Sequence, residues 1–540
     1  AACRSQENRD PRCRDHFYNH PNVDLIPGLA TPTNEWFGWL KAQNLSTYFN
    51  DHPFPVDNQT SPKEIAFRYS GLSEWIGRGL SWFWFDHNWA FTLPGPRMPF
   101  YTKDDYEGLT GQVWGSYVYY ESTRAAYKEH GINTRPIALS RDNGPNWKTS
   151  DPQGQTLKGA GSPAHHRYPV WWTGDGVPLM ASVESMVNEA VHDFRPFVHS
   201  DCGGHGARGA PACPGAMNGA PPENQSCSSP NDAALLRWTA HCVLGTITRF
   251  HQGDHRFWLR SKATQNTARS YLTMRHRLAP SLIAAGRTVQ QQGFPLSARC
   301  DLVWPEHPEA NDPTQYLHLN ATLVAPLDVE PIDNITNSRS VWIPPGDWVD
   351  GWSGKEVTGP TTITVTEPPE QIPMWHRRGS LLVLDGTKDG LRVVTQDWSA
   401  LTVEAFPSRS TDRHKRAVFE QEASDIDDAV STDVELVTDG IGGVVVTVGE
   451  APTLRSWVVR IHLQRGQRFV LNAASEAAER LAGGVKHLYP AVGCDGSLAD
   501  GHFPLGGAGA RPACFAGPVA EFRLAAGSAA IQMEGHVISD

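Results

Sequence analysis

The chain has 540 residues, 39% hydrophobic and 19% charged, with a net charge of −11 and a pI near 6.1. That length exceeds one ordinary core, so about two to four domains are expected, and the composition is globular rather than disordered. The acidic balance argues against a nucleic-acid partner, and no run approaches the roughly eighteen apolar residues of a membrane span.

Residues 1–15 are polar and carry no pattern. From His16 to residue 292, short apolar runs alternate with helical segments, the signature of repeated βαβ units. The spacing predicts strands over Leu45–Asn50, Ser81–Asp86, Pro136–Ser140, Val170–Thr173, Phe197–Asp201 and Thr246–His251. It predicts helices over Ser61–Arg78, Trp114–Glu129, Leu179–His192, Asp232–Leu244 and Ala263–Gly286. From 293 to 385 the texture turns to Pro, Thr, Val and Trp with period-two runs such as Ser340–Ile343, Thr361–Thr366 and Ser380–Leu384. Those runs predict a proximal β-sandwich. Residues 386–540 read as a distal β-rich domain, with Gly443–Val448 and Ser456–Leu463 as its clearest strands. The expected fold is therefore α/β followed by β.

Nine cysteines cannot all pair within the chain. Cys213/Cys227 and Cys494/Cys514 lie in Gly/Pro-rich stretches where a local bridge would staple irregular backbone. Asn-x-Ser/Thr sequons begin at Asn44, Asn58, Asn224, Asn320 and Asn334. Together they tilt the expected setting toward the secretory lumen or the cell exterior. The 19 Trp are ambiguous, since indoles serve both as core and as platforms for the C–H faces of sugars.

The predicted strand ends carry the chemistry. In order they are Asn50-Asp51-His52, Trp84-Phe85-Asp86-His87, Ser140-Arg141-Asp142, Trp172-Thr173-Gly174-Asp175, His199-Ser200-Asp201-Cys202 and Arg249-Phe250-His251. A single Asp at such a place is ordinarily a helix cap or a loop charge. Six successive strands ending in Asp, Arg, His and Trp have no stability reason, because charge is unfavourable where strands are buried. In a parallel barrel the C-terminal strand ends converge on one pocket. Paired His ligands with a matching half-site are missing, so no metal and no cofactor is expected.

At these residues the sequence resembles glycoside hydrolase family 31, the α-glucosidase and α-xylosidase family. "GLSWFWFDHNW" is similar to its nucleophile strand, "HRYPVWWTGD" to its acid/base segment and "HSDCGGH" to its Asp-x-Gly-Gly loop. "RWTAHCVLGTITRFH" matches its Arg-Trp followed by Arg-x-His, and "PTQYLHLNATLVAPL" and "VWIPPGDWVDGWSGKEVTGP" resemble its passage into a C-terminal sandwich. The resemblance implies a (β/α)8 TIM-type barrel with Asp86 as nucleophile and Asp175 as general acid/base. It implies that Trp84, Arg141, Trp172, Asp201, His205 and His251 line the sugar site. The implied activity is retaining hydrolysis of terminal α-linked glucosyl residues of an oligosaccharide or glycoside, one carboxylate attacking the anomeric carbon and the other protonating the leaving oxygen.

The chain also departs from the family. His87-Asn88-Trp89 stands where Met-Asn-Glu commonly follows the nucleophile, and the loop Cys202–Asp232 is long and rich in Gly, Pro and Ala. The family's N-terminal sandwich and first two barrel strands have no counterpart in residues 1–43, so an incomplete barrel of about six strands is expected. Alternative readings are an α-xylosidase, α-galactosidase or transglycosylase on the same scaffold, or a non-catalytic carbohydrate-binding relative.

Overall fold

Five short parallel strands follow one another in chain order: β1 (Tyr48–Asp51), β2 (Trp82–Phe85), β3 (Ala138–Ser140), β4 (Val170–Trp172) and β5 (Phe197–His199). They are seen in a computed structural model that describes residues 48–51, 73–85, 120, 123–134, 136, 138–140, 170–173, 178–192, 195–204, 231–251, 257–328, 337–386, 398–419, 430–464, 467–472, 486–488, 519–527 and 530–539. The chain divides into two compact units. One comprises Ala1–Gly174, His192–His199 and Ser424–Asp428; the other comprises Asp175–Val191, Ser200–Ala423 and Ala429–Asp540.

The five-stranded sheet belongs to the first unit. β2 and β4 are continuous apolar and aromatic runs, the pattern of parallel strands in an α/β sheet. Helical segments 73–77 and 123–129 lie within the predicted helices, with Trp75, Ile76, Ala126 and Tyr127 buried. The Tyr127 hydroxyl donates to the Ser81 carbonyl, tying the second segment to the start of β2.

In the second unit, α1 (Leu179–His192) buries Leu179, Val183, Met186, Val187 and Ala190, a helical stripe that matches the predicted span. α2 (Asp232–Val243) is capped by Asn231, whose side chain accepts from the Ala234 N–H at 2.8 Å. The single helix predicted over Ala263–Gly286 is instead two, α3 (Lys262–Arg277) and α4 (Ala279–Gln292). Pro280, in the first turn of α4, has no N–H to continue the preceding helix, so the break falls at Leu278.

The strand predicted over Thr246–His251 is also corrected: among the described residues only Phe250 makes a parallel bridge, to Cys202. The buried Arg275 guanidinium captures the carbonyls of Val243, Gly245 and Thr246 at 3.1, 2.6 and 2.6 Å. The Thr248 hydroxyl donates back to the Cys242 carbonyl at 2.7 Å. These groups are thereby engaged locally, and extended pairing begins late.

Beyond α4, six strands form one sheet in the order β10-β9-β11-β8-β7-β6. They are β6 (Ser297–Ala298), β7 (Tyr316–His318), β8 (Thr322–Val324), β9 (Asn337–Asp350), β10 (Glu356–Glu367) and β11 (Met374–Arg377). Trp304, Trp342, Trp348 and Trp375 form much of its core, so these four indoles are packing residues.

Ten further strands make two five-stranded sheets. One runs β12 (Ser380–Asp385), β13 (Ala400–Phe406), β17 (Arg455–His462), β20 (Val519–Gly527), β19 (Lys486–Leu488). The other runs β14 (Thr411–Phe419), β15 (Ser431–Asp439), β16 (Gly443–Val448), β21 (Ile531–Ser539), β18 (Gln467–Leu471). Both contribute alternate residues to one apolar core that includes Val403, Val434, Leu436, Val446, Trp457 and Phe522. β12 pairs with β13 from Ser380↔Phe406 to Asp385↔Leu401, so its hydrogen bonds belong to this pair of sheets and not to the preceding one.

Candidate functional site

Among the predicted site residues, the structure brings Asp201 and His251 together. Asp201, 3% exposed, accepts an ion-paired hydrogen bond from Arg249 Nη2, and His251 Nε2 lies 3.6 Å from its other carboxylate oxygen. Backbone bonds fix this meeting. The Cys202 N–H donates to the Arg249 carbonyl at 3.3 Å, and the His251 N–H donates to the Cys202 carbonyl at 3.1 Å. Arg249 and His251, two apart in extended backbone, therefore present their side chains to the same side, toward Asp201.

A disulfide holds the same point from behind. Cys202, next to Asp201, is bonded to Cys242 near the end of α2, and both pack with Leu179, Trp238 and Phe250. Phe250 in turn meets Phe257 edge-to-face, with centroids 4.8 Å apart. The Cys213, Cys227, Cys494 and Cys514 pairs expected from local spacing lie outside the described residues. Cys300 is a buried free thiol, its pKa pushed up to about 12 by burial.

Sequence reasoning misses Arg249 as a site residue. The Arg-x-His spacing is the signal that would have found it. A carboxylate beside guanidinium and imidazole N–H groups offers acceptors and donors side by side, the pattern that grips vicinal sugar hydroxyls.

In the first unit, Trp172 ends β4 and is 1% exposed, while His199 ends β5 fully buried. The Thr173 N–H donates to the His199 carbonyl at 2.9 Å, which carries the pairing one residue past the strand. Arg195 lies over the Trp171 ring at 5.9 Å and is itself buried. Trp84 stands in β2, in register with Asn50 and Leu139. Asp86, Arg141, Asp175 and His205 lie outside the described residues, and so does the separation of the two proposed catalytic carboxylates. Among the described residues no group of three or more His, Cys, Asp or Glu is placed to hold a metal ion, and no helix is long and apolar enough to cross a membrane.

The comparisons with known proteins agree with this arrangement of strands and sheets. Residues 39–285 match the glycosyl hydrolases family 31 TIM-barrel domain, and residues 294–382 match the glycosyl hydrolase family 31 C-terminal domain. A 1,6-alpha-glucosyltransferase of Sporosarcina globispora is 21% identical over 271 residues, 47% of this chain and 20% of that protein. An alpha-glucosidase of Saccharolobus solfataricus is 20% identical over 334 residues, 58% of this chain and 44% of that protein. The fold is shared with a dextranase of Flavobacterium johnsoniae solved with glucose, at a TM-score of 0.62 and 15% identity, covering 88% of this chain and 55% of that one. The chain thus spans less than half the length of either curated relative. With the barrel and C-terminal domains of one family matched in succession, the chain belongs to glycoside hydrolase family 31.

Proposed function

We propose that this chain carries the active site of a retaining α-glycosidase that releases terminal α-linked glucosyl residues from oligosaccharides or glycosides. The assembled Asp201–Arg249–His251 cluster carries the reading, because it gathers the polar residues after β5 and around Phe250 at one point. Asp86 follows β2 directly and serves as nucleophile; Asp175, three residues past β4, serves as acid/base. Trp84, Arg141, Trp172, Asp201, His205 and His251 bind the sugar, using that energy to orient the ring for attack.

The five parallel strands and the Cys202–Phe250 bridge support about six positions of the family's (β/α)8 barrel. The buried Cys202–Cys242 disulfide supports work in an oxidising setting, the secretory lumen or the exterior. Transfer to a sugar acceptor on the same residues is a second reading, favoured by the 1,6-alpha-glucosyltransferase among the relatives.

The test is hydrolysis of an aryl α-glucoside followed by proton NMR. Retention releases α-glucose first, and Asp86→Asn abolishes turnover because an amide forms no glycosyl ester. Asp175→Asn hurts substrates with poor leaving groups more than activated aryl glycosides. Initial release of β-glucose, or turnover surviving Asp86→Asn, overturns the assignment.

A further inference from the structure

The loops at one end of the two five-stranded sheets enclose a second cavity, of about 360 Å³. It is formed where Pro407–Arg409 leaves β13, Gly440–Gly442 joins β15 to β16, and Leu463–Gln464 leaves β17. Its volume falls within the roughly 300–1,000 Å³ of small-molecule sites.

Among the described residues, the Ser408 hydroxyl is engaged with the Ser410 backbone, and the side-chain groups of the lining that remain are donors. Gln464 Oε1 is occupied by Arg409 Nη2, and Gln467 Oε1 accepts from the Gln464 N–H at 2.8 Å. Neither donor can accept, so both amide orientations are fixed by chemistry, and among the described residues both NH2 groups are left over. Arg378 is 5% exposed; its Nη1 donates to the His462 carbonyl and its Nη2 to Glu356, while its Nε has no hydrogen-bond partner.

Among the described residues no carboxylate lines the cavity. Glu356 offsets Arg378, His462 is engaged with Glu404 at 2.7 Å, and the described partner of Arg409 is a neutral amide. Among the described residues, the Arg409 charge at the mouth therefore has no carboxylate beside it. There too Ile441 is held 89% exposed, in a turn where Asp439 Oδ1 accepts from the N–H groups of Ile441 and Gly443 at 2.8 and 2.7 Å. It offers an apolar face beside the donors.

From the donors left over in this lining we propose that the cavity binds a sugar-sized molecule bearing one oxyanion, a sugar acid or a sugar phosphate. The oxyanion takes the Arg409 and Gln467 N–H groups, and the ring's C–H face rests on Ile441. This site is separate from the strand-end cluster and does not rest on the glycosidase reading.

Isothermal titration of the full chain with glucuronate, glucose 6-phosphate, inorganic phosphate and glucose tests it. Glucuronate or glucose 6-phosphate binds, and whichever does identifies the oxyanion as carboxylate or phosphate. Arg409→Ala and Gln467→Leu each weaken that binding by about tenfold, the worth of one charge-assisted hydrogen bond, with an unchanged melting temperature. Binding of neither sugar anion, or binding indifferent to both substitutions, overturns the proposal. Glucose displacing the anion with the same dependence on Arg409, or inorganic phosphate binding as tightly as the sugar anions, overturns it as well.

Discussion

Two clusters among the described residues use the same three kinds of group, carboxylate, guanidinium and imidazole. One is Asp201 with Arg249 and His251, past the end of β5. The other is Glu404 with Arg460, His462 and Glu521 in the sheet of β13, β17 and β20. In the first, the Arg249 side chain remains 20% exposed and His251 9%. In the second, no side chain exceeds 6%, and Glu404↔Arg460 and Arg460↔Glu521 are cross-strand neighbours on one face. Every acceptor of the second cluster faces a donor of its own, so it has nothing left to offer a ligand. Residue type alone therefore does not distinguish the two clusters; position at a strand end, with access, does.

Acid gives the largest effect expected, through Glu404 of the second cluster and three buried histidines outside both. Burial pushes His376 and His414 down to about 3 and His241 down to about 4, helped at His414 by Arg416 and Arg377. Burial opposes ionisation of Glu404, yet Arg460 and His462 beside it hold its carboxyl at about 2. All four folded values lie below the unfolded ones, so the unfolded chain takes up protons first. Their stabilisation is present above about pH 6.5 for the histidines and above about pH 4.5 for Glu404, and is lost as pH falls toward the folded values. Urea unfolding at pH 7, 6, 5 and 4 should show a midpoint that drops at each step, by up to ~1.4 kcal/mol per pH unit per group. A flat midpoint from pH 7 to 5 would show that burial does not hold these three histidines uncharged.

Next comes Arg460→Met, which leaves Glu404 and Glu521 buried beside an apolar stem. Breaking a buried pair in this way costs about 3–5 kcal/mol, read as a lower denaturation midpoint. Activity per folded molecule should hold. Lost activity in a fully folded variant would give this cluster a role in the reaction.

How far the sequence foretells these arrangements depends on the distance over which each is decided. The apolar stripe of α1 and the aromatic run of β4 are set by neighbours within a turn or a strand, and both are legible. So is the gathering of Asp201 with His251, through the order of strand ends. The fate of Thr246–His251 is not, because Arg275 arrives from the next helix to take its carbonyls. The Cys202–Cys242 bridge, 40 residues apart, is equally hidden, since spacing favours local pairs. The break at Pro280 is readable from one residue, but the apolar period continues through it and masks the stop.

Asp201→Asn probes the other cluster. The amide keeps the shape and an acceptor for Arg249 but loses the negative charge and the acceptor facing His251, so kcat/KM on an α-glucoside should fall about 100-fold, ~2.7 kcal/mol. Arg249 keeps access to water, so the stability loss should stay below that of Arg460→Met. A larger stability loss than Arg460→Met, with activity retained, would make this cluster structural too.

The smallest effect belongs to a third ionic pair, Lys415 with Asp433, 2.7 Å apart on β14 and β15 with side chains 56% and 50% exposed. Its geometry is as close as that of Arg460 with Glu404, so distance alone would rank the two together. Solvent separates them. Water already solvates both charges, salt screens what attraction remains, and the long lysine chain must be ordered to make the contact. Lys415→Ala should therefore shift stability by no more than ~0.5 kcal/mol, and adding about 0.5 M salt to the unmutated protein should not reproduce the loss seen for Arg460→Met. A shift of about 2 kcal/mol or more at Lys415 would mean that contact, rather than burial, sets the worth of charges here, and the contrast between strand-end and sheet-centre clusters would lose its basis.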